Sequence, residues 1–178
     1  MTIAALATLT DAVVKALVVA GLSDGSSIDL GFVTLRLTYN PGIAFSLGSW
    51  LPPMMVTIVT GVIISTGFTW LILRARSLNS VSIAGSALLL GGALGNFVDR
   101  LDGQGVVDYF HTGWFATFNL ADALITVGVV LLATGLLTNR TRQVESAPGS
   151  IGRSSKWGRR TSRVIKAVDG YDGTASSE

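Results

Sequence analysis

Residues 81–98 read VSIAGSALLLGGALGNFV, eighteen positions without one charged side chain. An α-helix needs about 20 mostly apolar residues to cross the hydrocarbon core of a bilayer, and this stretch predicts such a helix. Its small residues, as in GGALG, carry a second meaning. Lipid supplies no hydrophobic drive between helices, so small side chains that let two backbones approach closely favour association there.

Working outward, three further segments have the same character: Ile3–Leu22, Met54–Leu73 and Phe118–Leu137. The expected fold class is an all-α integral membrane protein with four transmembrane helices, at about 3–22, 54–73, 81–98 and 118–137. Composition agrees: 49% of the 178 residues are hydrophobic and 13% charged, whereas soluble domains carry about 25% charged residues. The chain has no cysteine, which excludes disulfides, thiol catalysis and cysteine metal sites. The single histidine, His111, excludes a multi-histidine metal cluster.

Charge is unevenly spread. Up to Asn139 there are five basic and seven acidic residues; from Arg140 onward there are eight basic and four acidic. A basic cluster directly after an apolar helix reads as a cytosolic flank near anionic lipid, and the tail lacks any recognisable nucleic-acid module. Arg74 and Arg76 between helices two and three, and Arg140 and Arg142 after helix four, put those segments in the cytoplasm. The connections 23–53 and 99–117 then lie outside, and both termini lie in the cytoplasm. The first helix has neither a basic flank before it nor a plain cleavage site, so it is expected to be retained. In the first outer connection, IDLGFVTLRLTYN alternates at Val33, Leu35, Leu37 and Tyr39, which predicts a small extracytoplasmic β-sheet region between helices one and two. Residues 1–145 form the expected membrane domain; the Ser-, Gly- and Arg-rich tail 146–178 is expected to be disordered.

Polar side chains gather at one membrane face: Asn40, then Asn96, Asp99 and Arg100 at the end of helix three, Asp108 in the second outer connection, and Asn119 and Asp122 at the start of helix four. Residues three or four apart share a helix face, so Asn96, Asp99 and Arg100 make one polar edge, and Asn119 and Asp122 another. An ionisable group in a membrane helix costs about 2.5–3.5 kcal/mol on insertion scales, so Asp122 needs a partner or a function. Two adjacent carboxylates cannot both ionise easily; one keeps its proton and acts as an acid while the other acts as a base. Asp108 and Asp122 make such a pair only if the loop between them folds back on helix four. Plainer readings stand beside this one. Asp99 beside Arg100 reads as an ion pair, Asp102 as a turn residue and Asn119 as a helix cap. Asp108 reads equally as a surface loop carboxylate. Asp11 and Lys15, four apart, read as an ion pair within helix one. Trp50, Trp114 and Phe115 suit an interfacial aromatic belt, and His111 the interface.

Taken in order, DAVVK, NPGIAFS, GGALGNFVDRL, VVDYF and FNLADALI, from Asp11 to Ile125, resemble the motifs of the lipoprotein signal peptidases, or signal peptidase II. The resemblance implies an intramembrane aspartic endopeptidase of the bacterial cytoplasmic membrane. Such enzymes remove signal peptides from diacylglyceryl-modified prolipoproteins, cutting on the amino side of the lipidated cysteine. It implies a catalytic dyad at Asp108 and Asp122, and substrate-holding or dyad-supporting residues at Asn40, Gly42, Asn96, Arg100 and Asn119. It implies structural support from Asp99, Asp11 and Lys15, no metal or organic cofactor, and block by the cyclic lipopeptide globomycin. A monomer is expected, with the bilayer and the prolipoprotein as partners. The rival reading is a small transporter or ion-conducting protein using the Asp cluster. That reading expects acids spread through the membrane depth, and helices two and three carry none before Asp99.

Overall fold

A computed structural model describes residues 2–41 and 52–145. Helix α1 spans Thr2–Leu22, strand β1 Ser27–Asp29, strand β2 Thr34–Asn40, helix α2 Pro53–Arg74, helix α3 Ser80–Asp99, strand β3 Val106–His111 and helix α4 Leu120–Glu145. Single 3₁₀ turns, Ala75–Ser77 and Arg100–Asp102, follow α2 and α3. Helix α4 passes from the unit Met1–Leu137 into the unit Thr138–Glu178, and the site described below lies within the first. Gly42, Trp50 and the tail from Ser146 lie outside the described residues.

All four helices are long and apolar enough to cross a membrane. Helix α3 is the inner one: half of its apolar window is buried, against 11% to 22% for the others. Large side chains such as Leu17, Met54, Ile63, Leu73 and Leu137 point outward, a surface suited to lipid rather than water. Glycine explains how α3 can sit inside. Gly85 on α3 meets Gly128 on α4, while Gly92 on α3 packs on Ala121 and Ile125 and Gly135 on α4 packs on Ser82 and Asn79. A Cβ on Gly92 would lie 2.5 Å from the Ala121 carbonyl oxygen, and one on Gly128 2.5 Å from the Leu89 nitrogen. Gly91 and Gly95 face α1, where a Cβ on Gly91 would lie 2.7 Å from the Ala4 carbonyl oxygen. The small residues of GGALG thus serve two helix contacts at once. Asn79 caps α3 by accepting the Ser82 N–H at 2.8 Å, and donates to the Gly135 carbonyl at 2.7 Å, tying the far end of α3 to α4.

The sheet is a three-stranded antiparallel meander in the order β1-β2-β3. The small sheet expected between α1 and α2 is present as β1 and β2, and a third strand not expected from the sequence, β3 with Asp108, joins it from between α3 and α4. Pairing of β2 with β3 shifts between Leu35 and Thr38, a bulge that places one extra residue in β2. Beyond it Asn40 pairs with Val106 and Thr38 with Asp108, so Asn40 and Asp108 are diagonal neighbours on one sheet face. Helix α4 starts two residues later than Phe118, the start expected from hydropathy, and continues beyond Leu137 to Glu145. Phe118 is held to the sheet, exchanging backbone bonds of 2.8 and 3.2 Å with Phe110, so the helix can begin only after Asn119.

Candidate active site

The first turn of α4 organises the site. A helix leaves its first N–H groups without partners inside the helix. Here three different parts of the chain supply them. The Leu120 N–H donates to the Tyr109 Oη at 3.1 Å, from β3. The Ala121 N–H donates to Asp11 Oδ1 at 2.9 Å, from α1. The Asp122 N–H donates to Asn119 Oδ1 at 3.0 Å, while the Asn119 N–H donates back to Asp122 Oδ2 at 3.1 Å. Asn119 and Asp122 therefore form a reciprocal capping box, which bears out Asn119 as a cap and seats Asp122 beside the positive end of the helix.

The cap leaves the Asn119 amide nitrogen pointing at the sheet. It donates to Asp108 Oδ1 at 2.8 Å and lies 3.0 Å from Asn96 Oδ1 and 3.2 Å from the Val107 carbonyl oxygen. Asn40 donates to the other Asp108 oxygen at 3.0 Å. Asn96 donates to Asp122 Oδ1 at 2.7 Å. Each carboxylate thus accepts N–H groups from two of three asparagines, Asp108 from Asn40 and Asn119 and Asp122 from Asn96 and Asn119. Asp108 and Asp122 face one cavity of about 600 Å³, together with Asn40, Asn96 and Arg100. Phe115, Phe118, Ile125 and Val127 form its apolar flank. The surface-loop reading of Asp108 is overturned: the residue is only 2% exposed, because it sits in a strand covered by Asn119 and the start of α4.

Burial pushes the Asp108 carboxyl up to about 6, and the neighbouring Asp122 pushes the same way; the N–H groups of Asn40 and Asn119 and the Lys15 cation pull against them. Asp108 can therefore hold or release a proton near neutral pH. Burial also pushes the Tyr109 phenol up to about 12, so it remains a neutral hydroxyl.

Behind the asparagines lies a charged layer. Lys15, on α1 and almost fully buried, is 2.7 Å from Asp11 Oδ2 and 2.8 Å from Asp99 Oδ2, and donates to Asn96 Oδ1 at 2.9 Å. The predicted ion pair within helix one is present. Asp99, which sequence alone pairs with Arg100, is engaged by Lys15 and by the Val107 N–H at 3.1 Å. The Arg100 Nη1 donates to the Asn96 carbonyl oxygen at 2.8 Å, and the residue lines the cavity. Asp102 accepts the Gln104 N–H at 2.9 Å, a turn contact as expected. Asn40, Asn96, Arg100, Asn119 and both aspartates are thus brought together, while Asp11, Lys15 and Asp99 stand one layer back. Sequence reasoning missed Tyr109 and the Val107 backbone, whose roles depend on β3, and Gly105. At Gly105 φ is +100°, and a Cβ would lie 2.5 Å from the Asn40 carbonyl oxygen. Among the described residues no group of three His, Asp or Glu side chains is arranged to hold a metal ion.

A family model described as Signal peptidase (SPase) II matches residues 3–138, which include every residue of this constellation. The chain belongs to the signal peptidase II family. It is 38% identical over 148 residues to the lipoprotein signal peptidase of Mesorhizobium japonicum, covering 80% of this chain and 88% of that one. It is 37% identical over 155 residues to the lipoprotein signal peptidase of Rhodococcus jostii, covering 79% and 75%. A bacterial membrane enzyme solved by the in meso method at 2.3 Å superposes with a TM-score of 0.67 at 29% identity, covering 79% of this chain and 88% of that one. Signal peptidase II membership and four apolar helices together make this a multi-pass membrane peptidase.

Proposed function

We propose that this signal peptidase II family member is an aspartic endopeptidase that removes signal peptides from diacylglyceryl-modified prolipoproteins, cutting on the amino side of the lipidated cysteine. Asp108 and Asp122 are its dyad. The observation that carries this reading is Asn119, which holds Asp108 with its side-chain amide and Asp122 with its backbone N–H. A single residue thereby keeps two carboxylates on one cavity, the arrangement in which one acts as acid and the other as base.

In the proposed reaction Asp122 takes a proton from a water as its oxygen attacks the scissile carbonyl carbon. Asp108 gives its proton to the carbonyl oxygen, forming a neutral gem-diol. Asp122 then gives its proton to the leaving nitrogen while Asp108 takes one back from a gem-diol hydroxyl; the C–N bond breaks, and both carboxyl states are restored. Asn40, Asn96, Arg100 and Asn119 hold the dyad or the peptide carbonyls, which is a positioning effect; Gly42 is proposed with them from its motif. Asp11, Lys15 and Asp99 support the site. The apolar flank at Phe118, Ile125 and Val127 suits the hydrophobic signal peptide or the acyl chains. The basic residues Arg74, Arg76, Arg140 and Arg142 favour cytoplasmic termini in a bacterial cytoplasmic membrane, with the dyad near the opposite face and a basic tail at 146–178. The enzyme works as a monomer, and globomycin competes for the cavity.

The test is a gel-shift assay with purified protein in detergent and a diacylglyceryl-modified prolipoprotein. Cleavage by the parent, blocked by globomycin and absent in folded Asp108→Asn and Asp122→Asn variants, is expected. Normal turnover by either variant removes the dyad assignment. No cleavage by folded parent protein returns the ion-transport reading.

A further inference from the structure

We infer that Lys15 is a positioning residue for the peptidase reaction, acting on Asp122 through the orientation of the Asn96 amide. The inference rests on the aspartate dyad proposed above.

An asparagine side chain has an acceptor end and a donor end of nearly equal shape, so its neighbours decide which way it points. The Asn96 oxygen lies 2.9 Å from the Lys15 ammonium and 3.0 Å from the Asn119 amide nitrogen. Its nitrogen is then forced toward Asp122 Oδ1, at 2.7 Å. Lys15 has only donors, so it fixes the Asn96 oxygen on its own side. Without the ammonium only Asn119 Nδ2 holds that oxygen, so a rotation that turns it away from Asn119 and swings the N–H off Asp122 becomes easier. The same rotation would remove the acceptor that Asn119 Nδ2 shares between Asn96 and Asp108. A single cation on α1 thus aims an N–H at one carboxylate and steadies the donor of the other.

A purely structural ion pair would need only Asp11 and Lys15, whose charges lie 2.7 Å apart within one helix turn. The lysine reaches further, to Asp99 and Asn96 on α3, and is 3% exposed. Burying a lysine among two carboxylates and an asparagine costs desolvation that a surface pair avoids. The charged groups around this position are Asp11 on α1, Asp99 and Arg100 from α3 and the turn after it, Asp108 on β3 and Asp122 on α4, with the neutral Tyr109 beside them. Arg100 keeps its own charge near the dyad when Lys15 is changed, so a change at Lys15 reports the Asn96 route and one of two local cations.

The experiment is a double-mutant cycle on purified, detergent-solubilised full-length protein with a diacylglyceryl-modified prolipoprotein peptide, reading kcat, KM and the pH profile of kcat/KM. Lys15→Met is expected to lower kcat by roughly 10- to 100-fold with little change in KM, the range for lost orientation of reacting groups. It is also expected to move the pH profile upward, because the Lys15 cation favours the ionised form of Asp108. In an Asn96→Ala background the further loss on Lys15→Met is expected to shrink to about threefold or less, since contacts in one network are not additive. Equal losses in both backgrounds overturn the inference, as does parental kcat in Lys15→Met or a loss of kcat with an unmoved pH profile. Where Lys15→Met does not yield folded protein, the same cycle is run with Lys15→Arg, which keeps the charge but changes the donor geometry. There, equal losses in both backgrounds, or parental kcat, again overturn it. Inactive Asp108→Asn and Asp122→Asn alongside an additive cycle remove only the Lys15 route; active ones remove the dyad itself.

Discussion

Replacing Asn40 by alanine tests the electrostatics of the site most directly. Asn40 donates to Asp108 Oδ2 at 3.0 Å, and a donor to a carboxylate favours the ionised form. Burial has lifted the Asp108 carboxyl from its ordinary 3.8 to about 6 against that pull. Hydrogen bonds to charged groups are worth about 1.5–3 kcal/mol, and one pH unit corresponds to about 1.36 kcal/mol. Asn40 is partly exposed, so solvent recovers part of the loss and the lower end applies, about one unit. The sign follows: with the donor gone, Asp108 keeps its proton to higher pH. If protonated Asp108 is the acid, the alkaline limb of kcat/KM then moves from about 6 to about 7. The assay is cleavage of a fluorescent lipid-modified prolipoprotein peptide in detergent, in overlapping buffers between pH 4 and 9. A drop in kcat/KM at every pH with the limb unmoved would reduce Asn40 to a substrate contact. A limb that moves down would refute the charge reasoning.

The remaining predictions concern stability and geometry. Because the folded state holds the Asp108 proton more tightly than the unfolded state, ionising it costs stability as pH rises from about 4 through about 6, by up to about 3 kcal/mol. Asp108→Asn avoids that cost, so its melting temperature relative to the parent should rise between pH 4 and pH 8; a constant difference across that range counts against the buried acid. Tyr109→Phe removes the acceptor of the Leu120 N–H at a residue 1% exposed and should destabilise by about 1–3 kcal/mol, seen as a lower melting temperature; no loss would mean the N–H finds another partner. Gly105→Ala should cost about 1–3 kcal/mol and loosen Asn40 from Asp108, because φ is +100° and the new Cβ meets the Asn40 carbonyl. Parental stability and turnover in that variant would show that the strand ends yield easily.

The helices were legible because lipid demands long charge-free runs, and 81–98 is such a run. The pair Asp11 and Lys15 was legible because four residues bring two side chains onto one helix face. Strand β3 was not, since Val106–Tyr109 is buried throughout and so shows no alternation, only an apolar run broken by one acid. The site residues could be gathered by motif, but their wiring could not. Asp99 sits beside Arg100 in sequence and binds Lys15 instead, because α1 and α3 cross closely at Gly91 and Gly95. Tyr109 looked like one more aromatic, and its hydroxyl holds the first N–H of α4 only through a strand that local pattern concealed.

The bond from the Ala121 N–H to Asp11 spans 110 residues, from the first membrane segment to the last. During synthesis α1 leaves the ribosome first, while Asn119 and Asp122 emerge only with α4. A nascent chain that has inserted three helices carries Asp108 but neither its second carboxylate nor the residue that joins the two. The proposed dyad is therefore complete only once the fourth helix has brought Asn119 and Asp122 to the first and third helices.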